Sequence, residues 1–138
     1  MEFALLVVVF LTLLFGMIQY SLYFWSTQSA ANAARDAARR AAVGQSCTEL
    51  LSQAQASTKL VESDFKVTRR YYKPEDTSFS TPVAAYTGAN ARIVVTYHSV
   101  DMNFPFVPMI SDANVREVSI ARVENFSSTA NTNWSNCG

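Results

Sequence analysis

The chain divides into stretches with different rhythms of apolar and polar positions. From Phe3 to Trp25 only Thr12, Gly16, Gln19 and Ser21 interrupt an apolar run, MEFALLVVVFLTLLFGMIQYSLYFW. As a helix, this run would extend about 35 Å, enough to cross a bilayer core. Tyr20, Tyr23 and Trp25 gather at its C-terminal end, where amphipathic rings meet lipid headgroups. A secretory signal would show a shorter apolar core, a basic front and a small-residue cleavage site, and none of these is present. The segment therefore reads as part of the working protein.

The next stretch, STQSAANAARDAARRAAVG, is rich in alanine, and no proline occurs before Pro74. Alanine is the best helix former, so the helix is predicted to continue from Glu2 to about Val43, roughly 60 Å in all. Gly44 is a natural stop. Ala30, Ala34, Ala37 and Ala41 recur at spacings of four, three and four as a smooth stripe. Arg35, Asp36, Arg39 and Arg40 take another face, with Asp36 and Arg40 spaced for an ion pair. Small residues let helices approach closely, so Gly16 and the alanine stripe are a candidate surface for neighbouring helices. Packing of the C-terminal half on the chain's own sheet explains the alanines equally well. It cannot explain the N-terminal half.

Beyond Gly44 the pattern changes again. Ser46 and Glu49 stand in capping-box spacing, predicting a short helix to about Leu60. DFKVTRRYY, NARIVVTYHSV and VREVSIARVE are rich in β-branched and aromatic residues and predict three strands. VAAYT is a candidate fourth, with Gly88 and Asn90 as turn residues. The expected fold is α+β: a long N-terminal helix, residues 1–43, packed on a small antiparallel sheet in a head of residues 44–138. The segment MNFPFVPMI is apolar but broken by Pro105 and Pro108, which argues against a strand. It is either an exposed partner contact or a cover over the sheet end.

Charge and chemistry narrow the function. Eleven basic and eleven acidic residues give a net charge of zero, which argues against bulk binding to nucleic acid. Two cysteines, Cys47 and Cys137, flank the head and read best as one disulfide in an oxidising compartment. Two separate buried thiols are the alternative. With His98 as the only histidine and no CxxC spacing, no metal or other cofactor is expected. No nucleophile elbow or phosphate loop is present, so no catalytic residue is assigned and the chain reads as a non-enzyme. RRYYK, Arg69, Arg70, Tyr71, Tyr72 and Lys73, mixes cations with aromatics; it is a candidate patch for a surface ligand or single-stranded DNA, or simply a solvated strand end.

The flanking charges pose a conflict. Basic flanks belong in the cytoplasm, yet the nearest cations, Arg35, Arg39 and Arg40, lie on the same side as the cysteines. Both observations fit if a basic leader once preceded Met1 and was removed after insertion.

MEFALLVVVFLTLLFGMIQYSLYFW, ANAARDAARRAAVG, and IVVTYHSVDMNFPFVPMI through VSIARVE together resemble a TadE-like pilin of the Tad (tight adherence) branch of type IV pilus systems. The resemblance spans most of the chain. It implies removal of a leader by a prepilin peptidase, an inner-membrane precursor, engagement with pilus assembly machinery, and homo-oligomerisation into an extracellular adhesive filament. It leaves open whether the subunit is major or a minor, priming one. Within such a bundle Glu2 needs a cation, and the terminal amine of Met1 on a neighbouring subunit would serve and set axial register. The family's glutamate usually lies a few residues further in. A monomeric single-pass protein with an extracellular binding module is the competing reading.

Overall fold

Forty-one residues without a proline form one continuous helix, α1, Glu2–Ala42, in a computed structural model that describes residues 2–58, 61–104, 110–124 and Cys137. At 1.5 Å per residue α1 is roughly 62 Å long. It ends in a Schellman motif. Gly44 adopts φ 83°, its N–H donates to Ala41 O at 3.2 Å, and Gln45 N–H donates to Arg40 O at 3.2 Å. A side chain at position 44 would be strained there, so the glycine sets where the helix stops.

The second helix, α2, runs Cys47–Ser57, shorter than the expected end at Leu60. Ser46 and Glu49 form the reciprocal capping box that their spacing predicts. At the other end Thr58 turns out of the helix, its hydroxyl and its N–H both donating to Ala54 O. Residues 59 and 60 lie outside the described residues.

Three strands follow: β1 Val61–Tyr72, β2 Asn90–Ser99 and β3 Asn114–Arg122, the last preceded by a 3-10 turn at Ile110–Ala113. They form an antiparallel sheet in the order β1-β2-β3. Arg70 faces Arg92, Thr68 faces Val94, and Thr96 faces Arg116. The candidate fourth strand shrinks to one bridge, Val83 N–H donating to Tyr71 O at 2.8 Å. Its neighbours carry no regular ladder, because Pro82 removes a donor just before it. Asn90, expected in a turn, instead begins β2 and is paired on both sides, to Tyr72 and Arg122. The turn lies earlier, at Gly88, whose φ of 97° is a glycine conformation.

One face of the sheet, with Val67, Tyr71, Ile93, Val95, Tyr97 and Val115, packs under the C-terminal half of α1 and under Leu50 and Ala54 of α2. The alanines decide this contact. Ala30, Ala34, Ala37 and Ala41 are at most 3% exposed, as are Ala33 and Ala38 beside them. Methyl-sized side chains let the helix lie close against the sheet. This corrects the neighbour-helix reading of the stripe: these four alanines are occupied by the molecule's own head and cannot also meet another helix. Of the two readings open in the sequence, own-sheet packing describes residues 30–41.

One polar pair locks the register of helix on sheet. Tyr97 OH donates to Ser26 O at 2.7 Å, and its oxygen lies 2.8 Å from Ser26 Oγ, both groups buried. Burial raises the Tyr97 phenol above its ordinary 10.0, and burial raises that of Tyr71 likewise. A phenol with a raised folded-state pKa stabilises the fold below the unfolded value and loses that contribution as pH climbs through the folded one. Denaturant unfolding should therefore show head stability flat near about pH 8 and falling above about pH 10, with a shallower fall in Tyr97→Phe. An alkaline fall identical in Tyr97→Phe would show that this phenol does not contribute.

Candidate functional site

Among the described residues the N-terminal half of α1 is largely uncovered. Phe3 is 79% exposed, Phe10 63% and Met17 70%, and among the described residues the first buried one along the helix is Gln19. From Phe3 to Ile18 the helix stands clear of the sheet for roughly 24 Å. Thr12 and Ser21 do not break the apolar surface, since each hydroxyl is returned to the backbone four residues earlier, at Val8 O and Met17 O. The described chain thus contains one helix long and apolar enough to cross a membrane. Gly16, a candidate for helix–helix packing, is half-buried and lies outside the alanine contact. Glu2 begins the helix; the placement of its side chain and the whole of Met1 lie outside the described residues.

Where the head begins, a small set of contacts joins it to α1. Gln19 Nε2 donates to Asp101 Oδ1 at 3.0 Å, and Asp101 also accepts from Asn103 N–H at 2.8 Å. Phe104 stacks on Phe15 with ring centroids 4.7 Å apart. Tyr23 OH donates to Asn114 O at 3.4 Å. The described start of MNFPFVPMI therefore folds back along the apolar helix instead of over the sheet end; residues 105–109 lie outside the described residues. Gln19, which looked like an interruption in the apolar run, makes a polar contact with the head one turn above the Phe15–Phe104 stack.

At the far end Cys47 and Cys137 are joined in a disulfide spanning 90 residues. Cys137 also exchanges both backbone hydrogen bonds with Arg69, so it is bridged to β1 on the side away from β2. Of the preceding tail, residues 125–136 lie outside the described residues.

The candidate patch at 69–73 is not one surface. Strand alternation sends Arg69 and Tyr71 inward, both 0% exposed, and Arg70 outward, while Tyr72 is 3% exposed and Lys73 lies past the strand end. Arg69 donates to Gln45 O and to Cys47 Sγ, and its guanidinium stands 5.5 Å from the Tyr71 ring centroid. Burial pulls the Arg69 pKa below its ordinary value, with the Tyr71 oxygen acting the other way. This arginine braces the disulfide corner and does not face a ligand. The alternation within RRYYK was the signal that could have separated the two sets. His98 is half-buried, with Nδ1 3.1 Å from Asn114 Oδ1. No group of His, Cys, Asp and Glu suited to a metal occurs among the described residues.

A head on a bare, membrane-length helix is the architecture of a membrane-anchored component. Residues 1–39 match the family model described as TadE-like protein. The match ends within α1 and does not include the sheet. No curated protein and no solved structure matches the chain.

Proposed function

We propose that this protein is a structural subunit of a Tad-type pilus, held in the inner membrane by α1 and transferred into an extracellular filament in which the apolar helices bundle. The observation that carries the reading is the division of labour along α1. The alanine face of residues 30–41 is covered by the head, whereas between Phe3 and Ile18 most of the large apolar side chains are exposed, the Phe15–Phe104 stack being the described exception. Such a surface needs either lipid or other copies. Self-association through this surface would put helix against helix. Glu2 at the helix start would then face a neighbour's terminal amine, and leader removal by a prepilin peptidase would create that amine. No catalytic role is assigned.

The test is fractionation of cells after mechanical shearing without detergent. The chain is expected in the sheared, sedimenting surface material, and Glu2→Ala is expected to remain in the membrane fraction with little reaching the surface. Recovery of the native chain solely as detergent-dependent monomers would favour a single-pass membrane protein displaying a binding module instead.

A further inference from the structure

The face of the sheet turned away from α1 carries a concentration of positive charge. Arg70 of β1 directly faces Arg92 of β2, and Arg116 of β3 faces Thr96 across the next ladder. These three arginines, with Thr68, Thr96 and Tyr72, line a shallow hollow of about 260 Å³ into which no carboxylate projects. Like charges placed directly opposite on neighbouring strands destabilise a sheet. None of the three arginines forms an ion pair among the described residues. Asp64 lies past the bulged start of β1, in a separate hollow with Lys66 and Arg116. Since the whole chain is formally neutral, the cluster is a matter of placement rather than of excess.

We propose that this outer sheet face binds an acidic polysaccharide, with Arg70, Arg92 and Arg116 holding its carboxylates and Thr68 and Thr96 meeting its hydroxyls. From strand spacing and rise, the arginines mark out a diagonal strip roughly 16 Å long, suited to a linear polymer and too long for a single small anion. A guanidinium fork matches a carboxylate in a plane. Exposed Val118 and Ile120 on the same face give the C–H sides of sugar rings an apolar footing. Single-stranded nucleic acid fits less well, because it needs free rings for stacking. The rings here are occupied: Phe79 packs edge-on against Tyr72 at 5.2 Å and is capped by Arg92 at 5.3 Å. This inference goes beyond pilus assembly and does not depend on it.

Binding of polygalacturonate to the full chain in non-ionic detergent tests the proposal, with neutral dextran and a single-stranded oligonucleotide as comparators. Saturable binding to polygalacturonate is expected, with none to dextran. It should weaken at least tenfold between about 20 and about 200 mM salt, and at least tenfold in the combined Arg70→Gln, Arg92→Gln, Arg116→Gln variant. That variant relieves like-charge repulsion, so its thermal unfolding should match or exceed the native chain's. Replacing the same arginines with lysine should recover only part of the binding. Undiminished binding by the glutamine variant would overturn the proposal, as would tighter binding of the oligonucleotide. Loss of self-association in that variant, with no polysaccharide binding by the native chain, would assign the face to a second copy instead.

Discussion

Replacing both Cys47 and Cys137 with serine is expected to lower head stability by about 2–5 kcal/mol. The bond closes a loop of 90 residues. In the chain-entropy account, constraining so long a loop in the unfolded state contributes about 4–5 kcal/mol. Without it, the backbone pairing of Cys137 with Arg69 is the described contact left to hold Cys137 on β1. Heads of this size bury little core and have few kcal/mol to lose. In thermal unfolding of the detergent-solubilised chain, the midpoint should fall by about 10 °C or more, and reductant should reproduce the fall in the native chain. Arg69 should then become the next weak point, because its guanidinium stays buried after the sulfur contact is gone. An unchanged midpoint with chemically confirmed reduction would show that the disulfide does not stabilise the head.

Ala34→Leu is expected to destabilise the head by about 1–3 kcal/mol, which separates the two readings of the alanine stripe by experiment. Ala34 is 1% exposed, in the core with Ala30, Ala33, Ala37 and Ala38. Three added carbons have nowhere to go without lifting α1 off the sheet and stretching the Ser26–Tyr97 pair. In a head of fewer than about 100 residues, each kcal/mol moves the midpoint by roughly 4–8 °C. Asn32→Leu, on the exposed face of the same turn, should change the midpoint by less than about 0.5 kcal/mol's worth. If Ala34→Leu unfolds like the native chain, the stripe does not carry the head, and the close helix approach it was first assigned would return as its use.

What the sequence made legible follows the physics that acts locally. The extent of α1, its stop at Gly44, and the capping box of α2 depend on residues within a few positions of one another, and each is where its signal put it. The three strands announced themselves by β-branched and aromatic density. The misreadings share a different cause. Ala33 and Ala38 have the same chemistry as the four alanines singled out, and only the position of the sheet brings them into the contact. Arg69 was read as exposed because cations usually are; its burial needs Gln45 O, the Cys47 sulfur and the Tyr71 ring, contributed from separate elements. Asn90 carries turn chemistry and is nonetheless drawn into β2 by two partner strands. Gln19 looked like noise in an apolar run until Asp101, 82 positions away, supplied its partner.

The same division explains why the functional reading rests on α1. The head half of the helix is tied down by alanine packing, a tyrosine pair and the Gln19–Asp101 contact, so the uncovered half projects as a rigid continuation. A rod that emerges from a stabilised head at a fixed angle can be passed from lipid to a helical bundle without refolding. A flexible tether would lose far more entropy in the transfer.

Three-dimensional reconstruction of purified, detergent-free pili containing this chain tests the central claim most directly. The account predicts residues 3–18 ordered as a continuous helix, packed laterally against the same segment of neighbouring copies, with the heads on the outside. A map in which these helices are separated from one another by lipid or absent from the fibre axis would contradict it.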